Sequence, residues 1–209
     1  DVRARNNVVP IGEALAAREN GAAVNSFVTV YRFPEAYVEH CRRFRSVSGY
    51  AGPCWADYLP IDIDRQNDLD DALRAARAVA FALHSHFELE PDQIRYFFSG
   101  AKGFHLLIPV PLMGNVQPSP HLPTAFRRMA RSIAEMAGEQ IDLKVYDVNR
   151  LFRLPNTQHP ATRLWKVELT WDEFSRLDIE AIRQLARRPR DLKWQPHHLE
   201  PVDALAEFA

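Results

Sequence analysis

The stretch that decides the class of fold is Ile94–Val110, IRYFFSGAKGFHLLIPV. Two apolar runs, Ile94–Phe98 and Phe104–Val110, flank Ser99–Gly103, a short segment with two glycines. Apolar runs on either side of a glycine-bearing turn read as a strand, a turn and a second strand. Strands joined so tightly run antiparallel, because parallel neighbours need a crossover of a dozen or more residues. A purely parallel, doubly wound sheet is therefore excluded. Helical patterns lie on both sides of the hairpin, so the expected class is α+β, a mixed α/β fold.

Upstream, Tyr58–Asp64 (YLPIDID) reads as a strand whose last residues alternate Ile with Asp. Between it and the hairpin, Leu69, Leu73, Ala76, Ala80, Leu83 and Phe87 recur at steps of three and four, which makes one helical face. Asn67 or Asp68 can cap that helix. Further upstream, Ser26–Arg32 reads as a strand, and Pro34 suits the first turn of a helix over Glu35–Arg45. Downstream, the proline-rich segment 111–123 is expected to be loop and Thr124–Ala137 an amphipathic helix carrying Arg127, Arg128 and Arg131. Asp142–Phe152 has mixed character. Leu164–Leu169 reads as a strand, and Trp171–Leu177 and Ile179–Arg187 as helices. The expected organisation is an arm over 1–24, a folded domain over 25–187, and an extended tail or linker over 188–209.

Asp62 and Asp64 share one face of their strand, because alternate residues project to the same side. Two carboxylates ~7 Å apart on one face repel unless a cation sits between them. A divalent metal is the usual solution, with substrate phosphates completing its shell. Ser99, Gly100, Lys102, Gly103 and His105 form the second cluster. The glycines let backbone N–H groups approach an anion, Lys102 adds a point charge and Ser99 a hydroxyl. His105 lies among apolar neighbours, where a polar ring needs a partner. The third cluster is in IDLKVYDVNRLFRLPNTQHP (Ile141–Pro160): Asp142 stands between Ile141 and Leu143, and Arg150 and Arg153 offer planar forks suited to phosphate. Asp147 reads as a surface acid. Separated acids beside an anion-binding turn suit metal-dependent nucleotidyl transfer or phosphodiester cleavage.

In order, IDID, SGAKGFH and IDLKVY…NRLFRLPNT resemble the three catalytic motifs of the archaeo-eukaryotic primase superfamily, and the RLPNTQHP…KVELT run is similar to bacterial primase-polymerases of mobile elements and defence loci. The resemblance covers about residues 26–175. It implies a sheet like that of an RNA-recognition motif beside an N-terminal α/β unit. It implies DNA primase or polymerase activity from NTP or dNTP, with two ions, Mg2+ or Mn2+, held by Asp62, Asp64 and Asp142. His105, with Ser99 and Lys102, would contact the triphosphate, with Arg153 near it and Lys166 on a neighbouring strand. The implied partner is a single-stranded DNA template or a primer-template. The segment after His159 departs from the family pattern: it reads ATR, so Arg163 alters the expected rim. The competing classes are a metal-dependent nuclease, which needs no triphosphate cradle, a metal-using sugar transferase, and a non-catalytic nucleotide- or DNA-binding replication protein.

Composition sets the outer bounds. The 209 residues carry 26 Lys+Arg against 27 Asp+Glu, which excludes a strongly basic binder and leaves any nucleic-acid contact to a local patch. The Arg127, Arg128 and Arg131 helix is the expected template surface. Cys41 and Cys54 form no CxxC pair, so no zinc site is expected, and both read as reduced core thiols. No stretch approaches the ~18 apolar residues of a membrane span, so no membrane partner and a cytoplasmic location are expected. The chain begins with Asp1 rather than methionine, which suits a piece of a longer protein with further domains.

Overall fold

The computed structural model describes residues 25–191 and 199–208. The expected arm at 1–24 lies outside the described residues. The fold is α+β. Its main sheet has four antiparallel strands in the order β2 (Tyr58–Asp64), β4 (Gly103–Pro109), β3 (Arg95–Phe98), β6 (Val167–Leu169). The hairpin expected over 94–110 is β3–β4, and β4 inserts between β2 and β3. The connection from β2 to β3 runs through helix α2 (Leu69–Phe87), so these elements form a split β-α-β unit.

Register gives the sheet two unlike faces. Asp62 stands opposite His105, His105 opposite Phe97, and Phe97 opposite Glu168. These four residues therefore share one face. The intervening residues Leu59, Ile61, Ile63, Leu106, Phe98 and Val167 are fully buried on the other. There α2 and α3 (Leu122–Met136) pack on the sheet. Asp68 caps α2 by accepting from the Asp71 N–H, and Ala76, Ala80, Leu83 and Phe87 are buried as the periodicity requires. α3 starts at Leu122, two residues before the expected start, with Pro123 in its first turn, where a missing N–H costs nothing.

The polar face has its own cover. Strand β1 (Phe27–Thr29) pairs antiparallel with β5 (Leu151–Arg153), Phe27 opposite Arg153. In this two-stranded ribbon the Phe152 ring lies 4.3 Å from the His105 ring, centre to centre. β1 is shorter than the Ser26–Arg32 run suggests. Helix α1 (Glu35–Phe44) starts after Pro34, as expected, and ends at Arg45 in the left-handed region. Beyond β6 lie α4 (Trp171–Arg176) and α5 (Ile179–Leu185), each capped at its N-terminus, by Thr170 and Asp178.

The expected extended tail is corrected in part. Arg190 is bound to Glu173 by its guanidinium (2.7 and 2.9 Å), and its backbone N–H donates to Asn156. Residues Asp203–Phe208 form helix α6, which buries Leu205 completely and sets the Phe208 ring 5.1 Å from Phe87. The polar, proline-containing run that begins at Arg188 masked this, and a helix so short needs only one or two apolar anchors. Cys41 and Cys54 are free and buried, as read from the sequence. Among the described residues, no helix is long and apolar enough to cross a membrane.

Candidate active site

The site is built on the polar face of the sheet, at the open end of β2 and β4. Pairing of Asp62 with His105, and of Asp64 with Gly103, brings the first two sequence motifs into one row. The Asp142 N–H donates to the Asp62 carbonyl (2.8 Å), which sets the third acid beside the first. The segment after Asp142 is anchored again where the Tyr146 hydroxyl donates to the Pro60 carbonyl. Arg65 ties the same two segments. Its guanidinium donates to the carbonyls of Asp64 (3.2 Å) and Gln140 (3.1 Å), and pairs with Asp71 and Glu139.

A cleft of about 160 Å³ opens here. Asp62, Asp64, Lys102 and His105 line it, and Arg150 and Arg153 reach it from the other side. Lys102 pairs with Asp64 (2.9 Å), and Arg150 stands 3.7 Å from Asp142. Acidic and basic groups thus face one small volume. Burial, followed by the charges of Asp64 and Asp142, holds the Asp62 carboxyl well above the usual carboxylate range. Its Oδ1 is buried without a hydrogen-bond partner. Burial, with Lys166 and Arg153 nearby, holds His105 well below the usual imidazole value. His105 is therefore neutral, and its 3.5 Å approach to Asp62 is not an ion pair.

The glycines work differently from one another. Gly100 has φ +81, and its α-carbon backs onto the main chain of Leu164–Lys166 rather than lining the cleft. At Gly103 any side chain would collide with the Ile63 carbonyl and the Asp64 carboxylate. The Ser99 hydroxyl oxygen accepts from the N–H groups of Ala101 (3.3 Å) and Gly103 (3.2 Å), so it shapes the turn as well as lining the cleft. Asp142 is not a cleft-lining residue: its Oδ1 accepts from Lys144 N–H, capping a short 3-10 turn.

Sequence reasoning missed the rim. Phe27, Leu151 and Phe152 come from the covering ribbon, and His159 from the loop after β5. The only signal for His159 was its place in the RLPNTQHP run. Arg163, singled out for its departure from the family pattern, sits in a left-handed turn at φ +62. Lys166 immediately precedes β6 and is fully buried. Its Nζ donates to the Arg153 carbonyl (2.8 Å) and lies near the rings of Phe152 and Phe97. Burial brings it down to about 7, with Asp62 pulling the other way.

The donors fit a hard divalent cation. An unpartnered buried carboxylate oxygen and three mutually repelling acids are relieved together by one. Among the described residues no three His, Cys, Asp or Glu side chains are grouped so that they could hold a metal ion as they stand. No family model matches the chain, and no curated protein matches it.

Proposed function

We propose that the chain is a template-directed nucleotidyltransferase domain of the primase-polymerase type, using NTP or dNTP with Mg2+ or Mn2+. One observation carries this reading. The register of β2 on β4 sets two acids, Asp62 and Asp64, at one cleft with a neutral histidine and the cationic side chains of Lys102, Arg150 and Arg153, and the Asp142–Asp62 backbone bond holds the third acid next to that cleft, outside its lining. Phosphodiester cleavage also uses acids and a histidine, but it needs no cradle for a triphosphate, the role this reading gives to Lys102, Arg150 and Arg153.

Asp62, Asp64 and Asp142 would hold the ions. When bound, divalent ions lower the pKa of an attacking hydroxyl and neutralise the leaving pyrophosphate. Lys102, Arg150 and Arg153 donate charge-assisted hydrogen bonds to the phosphates. His105, kept neutral, offers one N–H to a phosphate oxygen without adding charge. With the phosphates against Lys102, Arg150 and Arg153, the sugar and base would lie towards the Phe27–Leu151 rim.

Nucleotide incorporation on a primed template, wild type beside Asp62→Ala, tests the reading. Metal-dependent extension by the wild type and its loss in the variant are expected. Equal extension by both proteins refutes it, as does degradation of the primer without any need for triphosphate.

A further inference from the structure

We propose that the end of α1, Arg42-Arg43-Phe44-Arg45, is a docking surface for a single-stranded nucleic acid; this rests on the reading of the cleft as a template-using site. Tyr37, Cys41 and Phe44 fall on one helical stripe, spaced four and three apart. Tyr37 and Cys41 are buried, whereas Phe44 is 58% exposed. The apolar stripe thus runs off the edge of the domain into solvent, ringed by arginines. The protein's net charge is −1, so three arginines in four residues are a strong local concentration. Among the described residues, Arg42 and Arg43 enter no carboxylate ion pair. The helix dipole accounts for basic residues at a helix C-terminus, but not for an exposed phenylalanine among them.

The ring is held as a platform. The Arg43 guanidinium lies 5.2 Å from the Phe44 centroid, and the His40 ring 4.8 Å from it. His40 is fixed by a 2.9 Å hydrogen bond to the Ser48 carbonyl. Aromatic contacts continue from His40 to Tyr50 and from Tyr50 to Tyr37. The Tyr37 hydroxyl then bonds Asn149 (3.1 Å), the neighbour of cleft-lining Arg150. The patch is therefore connected through packed rings and one hydrogen bond to the wall of the cleft. Aromatic faces that stack bases, beside arginines that follow the backbone, are the means by which single strands are bound without sequence preference. The α3 arginines fit this role less well. Arg127 is committed to Asp147 (2.6 Å), and no aromatic contact involves Arg128 or Arg131 among the described residues.

The test is fluorescence anisotropy of a labelled oligo(dT) strand titrated with the whole chain over a range of KCl. Arg42→Ala/Arg43→Ala is expected to lower the slope of log K against log salt by about 1.4, at ~0.7 per single-strand phosphate contact. Arg42→Lys/Arg43→Lys should keep the slope. Phe44→Ala should weaken binding about fivefold or more with the slope unchanged. A wild type that fails to bind at low salt overturns the proposal, as do alanine variants that bind like wild type. Polyglutamate competing as well as the oligonucleotide also overturns it, in favour of an acidic protein partner. A wild type that binds the strand through this patch yet incorporates no nucleotide overturns the catalytic reading and leaves the docking surface standing.

Discussion

Asp62→Asn should make the metal-free protein more stable while removing its function. Asp62 is almost fully buried, its Oδ1 has no hydrogen-bond partner, and the charges of Asp64 and Asp142 add to the cost of ionising it. An acid whose folded-state pKa is raised binds its proton more tightly in the folded chain. Stability therefore falls as pH rises from the unfolded value near 4 towards the folded one, by at most about 1.4 kcal/mol per pH unit. Lys166 offsets part of that cost. The asparagine amide carries no proton to lose, so the variant escapes this linkage cost, and we expect it to gain about 1–3 kcal/mol at pH 7.5 in EDTA. Below pH 4, where the carboxyl is protonated in both states, the gain should vanish. Urea denaturation of both proteins from pH 4 to 8 measures it. Added Mg2+ should stabilise the wild type and leave the variant nearly unchanged. A variant less stable than wild type at pH 7.5, or a difference that ignores pH, refutes the reasoning: Asp62 would then be held by a favourable partner rather than strained by burial and like charge.

Lys166→Met should remove the opposite dependence. The lysine's folded-state pKa of about 7 lies below its unfolded value, so the wild type gains stability as pH rises from 7 towards 10, and the variant should lack that rise in urea melts. Leu205→Ala should cost about 2–4 kcal/mol in chemical denaturation, because it empties the fully buried anchor of α6. A loss below about 0.5 kcal/mol would mean that α6 is not part of the cooperative unit.

Much of the fold was legible because its signals are local. The period-two alternation of Ile with Asp in β2 states which side of the strand is core, and the packing obeys it: Ile61 and Ile63 face α2 and α3, while Asp62 and Asp64 face the cleft. The repeat from Leu73 to Phe87 likewise marks the buried side of α2. The hairpin at Ser99–Gly103 fixes β4 beside β3 by chain connectivity alone. The residue types at Asp62, Lys102 and His105 could be singled out for the same reason: a charged or polar group embedded in an apolar strand pattern is visible without knowing its neighbours.

Neither the cover of that polar face nor the meeting of the acids could be read this way. Phe27 and Arg153 pair across most of the chain, and three-residue strands carry too little alternation to announce a partner. The backbone bond from Asp142 to Asp62 uses groups that every residue possesses, so composition says nothing about it. Helix α6 is too short for its periodicity to register, and only the place for Leu205 near α2 and the Val110–Met113 turn makes it stable. Side-chain pattern determines which face of each element is wet or dry. Which wet faces are brought together, and the low dielectric that holds His105 neutral and raises the Asp62 carboxyl above the usual carboxylate range, arise only when the elements close over one another and exclude water.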